Sequence, residues 1–338
     1  MDRFLQEARQ AGTESSSGQI TLNVLKAKKK LGTHQLQAPH EYVLPLVSAA
    51  VLSKPTFVNF SGTFQNLQVE FDGDPFHKDD FVHALGAHTG RGAELALFLR
   101  AVQTLAPRTV RVVSGLNNEV HTLQVTDGRP EVWSNREEPL PYTRVEVSGA
   151  ELGQSGKELK NLLATRCRFN PTIAYNGKRV HIPKLVNSCG VLRLQGKGAE
   201  NPAASVSAWV AVTKHTENLS GQVWLTEGRE HHLTFVRHGV AYPKIVTLPT
   251  LHGLRGVVAC PELSLDISRS GVVEDDTLTD ILKLLVAEIA GSLYPRVLRE
   301  YRTLMPSDKS IARHHLTRWR AYCDPETKKR IERKLQLV

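Results

Sequence analysis

The chain has 338 residues, which is too long for one ordinary small domain, so we expect two domains. Hydrophobic residues make up 41% and charged residues 23%, and no run of about 18 apolar residues occurs, which argues against a transmembrane helix. The N-terminal stretch lacks an apolar signal-peptide core, so we expect a cytoplasmic location. Four widely separated cysteines form no CxxC pair, which disfavours a zinc site or a disulfide framework.

The net charge of +9 is spread unevenly along the chain. Residues 309–338 contain nine basic and three acidic residues, and a second basic cluster comprises Lys26 and Lys28–Lys30. Such clusters can attract nucleic acid or an acidic surface, although a charged run is also typical of a solvated helix face. The tail contains no recognisable nucleic-acid-binding motif. A nucleic-acid partner for residues 309–338 therefore stays an open alternative.

The first half of the chain predicts a mixed sheet that carries helices. Residues 1–19 are polar and include Ser15–Gly18, so we predict a disordered N-terminus. Apolar residues recur at helical spacing over His40–Leu52, although Pro45 lies inside this pattern and can kink a helix. The further helices and strands that we predict span 56–60, 67–71, 78–85, 93–105, 109–113, 120–125 and 142–147. This order favours an α/β sandwich with a mixed sheet.

The second half predicts a smaller α+β unit that ends in helices. A helix over 156–165 is followed by a hairpin whose turn is Asn176-Gly177, a pair that suits the left-handed turn conformation. The strands that we predict next span 206–213, 222–225, 232–237 and 254–259. An amphipathic helical stretch covers about 276–304, and the basic tail is expected to be helical as well.

Two glycine-containing loops of the first half adjoin a predicted strand or helix. Asp72 and Gly73 follow a predicted strand, where a carboxylate can accept a hydrogen bond and a glycine forms a tight turn. Gly90 and Gly92 precede an apolar helix, and the amides and dipole at a helix start favour phosphate. Glu94 follows closely and would repel a phosphate group.

A third segment, Leu254–Arg269, lies in the second half and carries the most specific pattern. The order of helix, hairpin, acidic glycine loop, glycine-rich segment and strands resembles the Bergerat fold of the GHKL ATPases. The closest resemblance is to the N-terminal and middle domains of the bacterial heat-shock chaperone HtpG. The residues that agree with the HtpG middle-domain segment are Gly256, Val257, Val258, Leu263, Leu265, Ser268 and Arg269.

The resemblance implies a domain layout and a set of nucleotide-binding residues. It divides the chain into a disordered start (1–19), an ATP-binding-type domain (20–150), an HtpG-like middle domain (151–275) and a helical extension (276–338). In the family, an Asp-Gly loop and a Thr contact adenine, and a glycine segment contacts the phosphates. The residues so assigned are Asp72, Gly73, Gly90, Gly92 and Thr143.

The resemblance also implies that most of the catalytic residues are missing. The family's general base, a Glu, falls on Pro45, and its magnesium-binding Asn falls on Ala49. Neither residue can take a proton or supply an oxygen to a hard cation. Arg269 matches the arginine that reaches the γ-phosphate and is the one catalytic candidate left. ATP therefore remains a candidate ligand, whereas Mg²⁺ is disfavoured.

These patterns lead to one main hypothesis and two alternatives. The first is an HtpG-related, chaperone-like pseudo-ATPase that acts through a protein partner or client and binds nucleotide weakly or not at all. The second is a working ATPase in which Glu41, Glu70 or Asp74 has replaced the general base. The third is a nucleic-acid-associated module that uses the basic tail. Whether the chain is an enzyme stays undecided, with the missing base favouring no.

Overall fold

The protein is described here as a computed structural model. The structure describes residues 39–63, 65–84, 90–116, 119–136, 140–149, 156–167, 172–180, 188–197, 208–266 and 268–336. The predicted disordered segment 1–19 and the Lys26–Lys30 cluster lie outside these residues.

An eight-stranded mixed sheet forms the first half of the fold. Its strands are β1 Phe57–Gly62, β2 Asn66–Phe71, β3 Thr109–Leu116, β4 Glu119–Thr126, β5 Arg129–Asn135, β6 Thr143–Ser148, β7 Thr172–Tyr175 and β8 Lys178–Arg179. They lie in the order β5-β4-β3-β6-β2-β1-β7-β8, in which β1 and β7 are parallel and the other neighbours are antiparallel. The predicted hairpin over 56–71 is confirmed as β1 and β2.

Within the described residues, four helices accompany this sheet: α1 Val43–Leu52, α2 Lys78–Ala84, α3 Gly90–Gln103 and α4 Gly156–Arg166. A 3-10 turn, Pro39–Tyr42, leads into α1, and Pro45 is the third residue of that helix. Backbone amides in the first turn of a helix have no partner within the helix, so a proline there breaks no hydrogen bond. The kink expected at Pro45 is therefore unnecessary.

A six-stranded mixed sheet forms the second half. Its strands are β9 Ser188–Gly196, β10 Ala208–Thr216, β11 Ser220–Leu225, β12 His231–Arg237, β13 Val240–Val246 and β14 Leu254–Ala259. Their order is β10-β9-β11-β14-β12-β13, with β9 parallel to β10 and β12 parallel to β14. Strands β7 and β8 belong to the first sheet, so that sheet continues past residue 150, where we placed the first domain boundary.

The C-terminal part is helical, as predicted, but the stretch over 276–304 is not one helix. Helix α5 Asp276–Glu288 passes through a π-helical turn into α6 Tyr294–Glu300, followed by α7 Pro306–Trp319 and α8 Pro325–Leu335. The carboxylate of Asp275 accepts a hydrogen bond from the Leu278 amide at 2.9 Å and caps α5. None of the helices in the described part of the chain is long and apolar enough to cross a membrane.

Both sheets and the C-terminal helices contribute to one continuous hydrophobic cluster. It includes Phe60 of β1, Phe98 of α3, Phe235 of β12 and Leu316 of α7, all of them fully buried. Burying a side chain of this size stabilises a fold by about 1.5–3 kcal/mol. The mixed α/β character predicted for the chain is thus confirmed, and residues of both sheets and of the C-terminal helices share one core.

Candidate functional site

The Asp72 carboxylate is held by the start of β1. Its Oδ1 accepts hydrogen bonds from the backbone amides of Thr56 at 2.7 Å and Phe57 at 3.1 Å, and its Oδ2 accepts one from the Thr56 hydroxyl at 2.5 Å. Partial burial raises the pKa of Asp72, but the hydrogen bonds from Thr56 and Phe57 outweigh it and leave the pKa below its usual value. Groups of the same chain therefore already donate hydrogen bonds to the carboxylate that we predicted to bind adenine.

Gly73 brings the same loop onto the end of α1. Its φ is +100°, and a Cβ at this position would lie 2.2 Å from the carbonyl oxygen of Ser53. The next amide, of Asp74, donates to that oxygen at 2.7 Å. Both the left-handed backbone and the close approach require glycine. Gly73 thus allows its loop to pack closely against the C-terminal end of α1.

Aromatic side chains fill the space between this loop and α2. Phe76 and Phe81 are buried and stacked at a centroid distance of 5.8 Å, and Phe71 meets Phe76 edge-on at 6.3 Å. The Arg91 guanidinium lies 4.9 Å from the centre of the Phe76 ring and bonds both carboxylate oxygens of Asp80, at 3.1 and 2.6 Å. The region after Asp72 is therefore packed with the side chains of this chain.

Thr143 belongs to a buried chain of polar groups next to these rings. Its hydroxyl lies 2.7 Å from that of Ser114, and the Ser114 oxygen accepts a hydrogen bond from the Phe76 amide at 2.9 Å. Ser114 is fully buried and Thr143 nearly so. The residue predicted to lie near adenine thus links β6 to β3 and, through Ser114, to the aromatic loop.

Helix α3 begins at Gly90, so Gly90 and Gly92 lie in its first turn, whereas we predicted that they precede the helix. Gly90 is exposed with a φ of +74°, and a Cβ there would meet nothing within 4 Å, whereas Gly92 is buried. The segment 85–89, which completes the predicted glycine-rich stretch, lies outside the described residues. Two residues after Gly92, the Glu94 side chain is almost completely buried.

Arg269 approaches α3 from beyond the end of the second sheet. Its Nη1 donates to Oε2 of Glu94 at 2.5 Å, and Arg237 Nη1 lies 3.7 Å from Oε1 of the same carboxylate. The Arg269 backbone is left-handed, with a φ of +52°, and its amide donates to the Asp266 carbonyl at 2.9 Å. The hydrogen-bonded turn at residues 266–269 thus orients the Arg269 side chain toward α3.

A second ion pair lies beside the first at the junction of the two halves. Arg166 donates to Glu41 at 3.2 Å and to the Ala241 carbonyl at 2.7 Å, and its guanidinium lies 5.4 Å from the centre of the Tyr242 ring. Burial raises the pKa of the Tyr242 hydroxyl, which therefore stays protonated at neutral pH. The sequence patterns did not indicate this junction, because Arg166 and Glu41 are 125 positions apart.

The residues present fit a magnesium-bound triphosphate poorly. The buried carboxylate of Glu94 occupies the start of α3, where phosphate would need positive charge, and it already pairs with Arg269. Pro45 and Ala49 offer no side-chain ligand on α1. Within the described residues, no group of three or more His, Cys, Asp or Glu side chains is placed to hold a metal ion.

The candidate replacement bases are also held in ion pairs. Glu41 lies 3.2 Å from Arg166, and Glu70 lies 3.0 Å from Arg144. Asp74 is exposed and forms a long contact of 4.0 Å with a lysine. The carboxylates of Glu41 and Glu70 already accept hydrogen bonds from Arg166 and Arg144, so neither is positioned to take a proton from a water molecule.

The comparison with protein-family models finds no match for this chain, and the search of curated proteins finds none either.

Proposed function

We propose that the chain is an HtpG-related protein of the Bergerat fold that has lost ATP hydrolysis and acts by binding a protein partner or client. The proposal places it in the cytoplasm and gives it at most weak nucleotide binding. It rests on the resemblance of the Asp72, glycine and Arg269 segments. A mixed sheet with accompanying helices, followed by a second mixed sheet, is compatible with it.

The contact between Arg269 and Glu94 is the observation that carries the proposal. In an active enzyme of this family, the arginine stabilises the negative charge that develops on the γ-phosphate. Here the arginine reaches the helix after the glycines and meets a buried carboxylate of its own chain. Glu94 thus supplies the negative charge that the phosphate would otherwise supply, and it holds the two halves together without nucleotide.

ATP turnover by the purified full chain tests this proposal. We expect no turnover above background, and the same result for Arg269→Gln and Asp72→Asn. Turnover that either substitution abolishes would contradict the loss of hydrolysis. Wild-type turnover that is also lost in Glu41→Gln or Glu70→Gln would instead support the alternative of a displaced base.

The basic tail supports a second candidate function, that of a nucleic-acid-associated module. Lys328, Lys329 and Arg330 are exposed on α8, whereas Leu316 and His315 of α7 are buried against the rest of the protein. Deletion of the whole tail would therefore expose the core. The sharper test replaces the three exposed basic residues with glutamine.

This variant should reduce the salt dependence of DNA or RNA binding if α8 contacts phosphates, because each contact releases counterions. The matched control is Lys157→Gln with Lys160→Gln, two exposed lysines on α4. Equal retention by the α8 variant and the wild type would dismiss this function.

A further inference from the structure

A cavity far from the Asp72 loop lies where the edge of the second sheet meets α7. Its volume is about 590 Å³, which is within the usual range for small-molecule sites. The polar and charged side chains that line it are those of Arg229, Glu230, His231, Thr247, His252 and Arg318, so two arginines face one carboxylate there. Aliphatic side chains from the end of β13 and the following turn form the rest of the wall, namely Ile245, Val246, Leu248 and Leu251.

Hydrogen bonds connect the segments that form the walls of this cavity. Arg318 donates to the Pro249 carbonyl, the Leu251 amide donates to the Leu248 carbonyl at 3.1 Å, and the Gly253 amide donates to the Gly228 carbonyl at 2.8 Å. A Cβ on Gly253 would lie 2.0 Å from that same Gly228 oxygen, so the two turns touch through their backbones. A preformed wall lowers the ordering cost of binding a ligand.

His231, which lines this cavity, has one ring nitrogen without a hydrogen-bond partner among the described residues. The side chain is 5% exposed, and its Nε2 lies 3.1 Å from the Leu248 carbonyl oxygen, so Nε2 carries the proton of the neutral ring. Among the described residues, nothing forms a hydrogen bond with its buried Nδ1. Buried polar atoms normally have a partner, and a ligand would supply one.

We propose that this cavity binds a small organic anion, a carboxylate or a phosphate monoester on an apolar body. The guanidinium groups of Arg229 and Arg318 can donate hydrogen bonds to a carboxylate or phosphate group. The aliphatic side chains of the wall can contact the apolar part of the ligand. Protonation of His231 would add a further positive charge at this site. This site is separate from the Asp72 loop and does not depend on the function proposed above.

Protonation links binding at this site to pH. Burial lowers the pKa of His231, and the neighbouring His232, His252 and Arg318 lower it further, so the free protein carries it neutral at pH 7. The other charged or titratable groups near it are Arg229 and Glu230, which line the cavity, and the buried His315, whose ring lies 5.7 Å from that of His252. Glu230 bonds His232 at 2.8 Å. A bound anion favours the charged imidazole, so affinity rises as pH falls.

Titration calorimetry of the full chain with benzoate, phenyl phosphate and neutral benzyl alcohol tests the site. We expect at least one of the two anions to bind about tenfold more tightly than the alcohol, and to bind more tightly at about pH 6 than at about pH 8. Whichever anion binds better identifies the headgroup. The proposal would be overturned if neither anion bound more tightly than the alcohol. It would also be overturned if the affinity for the anion did not change with pH.

Three variants locate the binding. Arg229→Gln and Arg318→Gln should each weaken the anion about tenfold, whereas Arg313→Gln, an exposed arginine on the same helix as Arg318, should leave it unchanged. Arg229 is exposed and its replacement does not disturb the core, which keeps the test valid if Arg318→Gln unfolds the turn at Pro249. Unchanged affinity in Arg229→Gln would place the anion elsewhere and contradict the proposal.

Discussion

Arg269 Nη1 lies 2.5 Å from Oε2 of Glu94, and this contact joins the end of the second sheet to the helix that follows the glycines of the first half. The two residues are 175 positions apart in the chain. Glu94 is almost completely buried and Arg269 is about a quarter exposed, so solvent screens the pair less than it screens a surface ion pair.

A double-mutant cycle between these residues should show strong coupling. Arg269→Gln takes the nearest cation from a buried carboxylate and leaves it the more distant Arg237, and Glu94→Gln takes away the carboxylate that both arginines approach. Breaking a buried pair on one side is costly, so each single change should lower the free energy of unfolding by about 2–4 kcal/mol. The coupling energy measured by urea unfolding should exceed about 1 kcal/mol. If the two single changes in the free energy of unfolding simply add up in the double variant, the contact contributes nothing. Arg255→Gln, at an exposed position, is the control and should change stability little.

Gly73→Ala should destabilise the fold far more than Gly128→Ala. Both glycines have positive φ, but a Cβ on Gly73 would meet the Ser53 oxygen at 2.2 Å, whereas one on Gly128 would meet nothing within 4 Å. Both substitutions cost about 1 kcal/mol of backbone strain. The steric clash occurs only at Gly73 and should make Gly73→Ala roughly 2 kcal/mol or more costlier than Gly128→Ala. Equal midpoints in urea unfolding would contradict the packing of this loop against α1.

The hydroxyl chain beside Phe76 should contribute to stability in a graded way. Thr143→Val removes one partner of Ser114 and should cost about 1 kcal/mol, whereas Ser114→Ala also leaves the buried Phe76 amide unpaired and should cost about 2 kcal/mol. Thr213→Val at an exposed position of β10 is the control and should change little. Thermal unfolding measures all three, and a larger loss for Thr143→Val would reverse the predicted order.

His315 should make the protein less stable in acid. Its Nε2 lies 3.0 Å from the Thr226 carbonyl and its Nδ1 lies 3.0 Å from the Tyr294 hydroxyl, so the ring is held neutral as a donor to one and an acceptor from the other. Burial lowers its pKa from 6.5 to about 4. Below about pH 6.5 the unfolded state therefore binds more protons than the folded state, and stability falls as pH drops.

The loss between about pH 6.5 and pH 4 should be on the order of 3 kcal/mol for this one group. His315→Phe should abolish this part of the pH dependence and lower stability at neutral pH, since both hydrogen bonds are lost. His314→Gln, the exposed neighbour, should retain it. An unchanged pH profile in His315→Phe would show that the buried ring titrates normally.

The sequence predicts the elements whose pattern is local. Apolar spacing marks α1 and α5, and Asn176-Gly177 forms the turn between β7 and β8, with both residues at positive φ. Strands β5, β9 and β13 were not predicted. Two of them, β5 and β13, share a feature that explains this. Each lies at the edge of its sheet and contains a proline, Pro130 or Pro243, which an edge strand tolerates but which reads as a strand breaker in sequence.

The candidate site could be predicted only in part, because most of its partners are distant in the chain. The resemblance singled out Arg269 and the glycines before Glu94, but the pairing of those two side chains depends on how the sheets pack. Asp72 was assigned to a ligand, whereas its hydrogen bonds go to Thr56 and Phe57. An Asp-Gly turn looks the same in sequence whether it serves a ligand or caps its own chain.

Titration of the full chain with ATP, with and without Mg²⁺, tests the central claim most directly. Because Glu94 already provides the anion that Arg269 binds, we predict no saturable, Mg²⁺-dependent binding up to about 1 mM ATP. Glu94→Gln should bind ATP more tightly than the wild type, because repulsion at the start of α3 is removed. Saturable, Mg²⁺-dependent binding by the wild type that Asp72→Asn abolishes would contradict the claim.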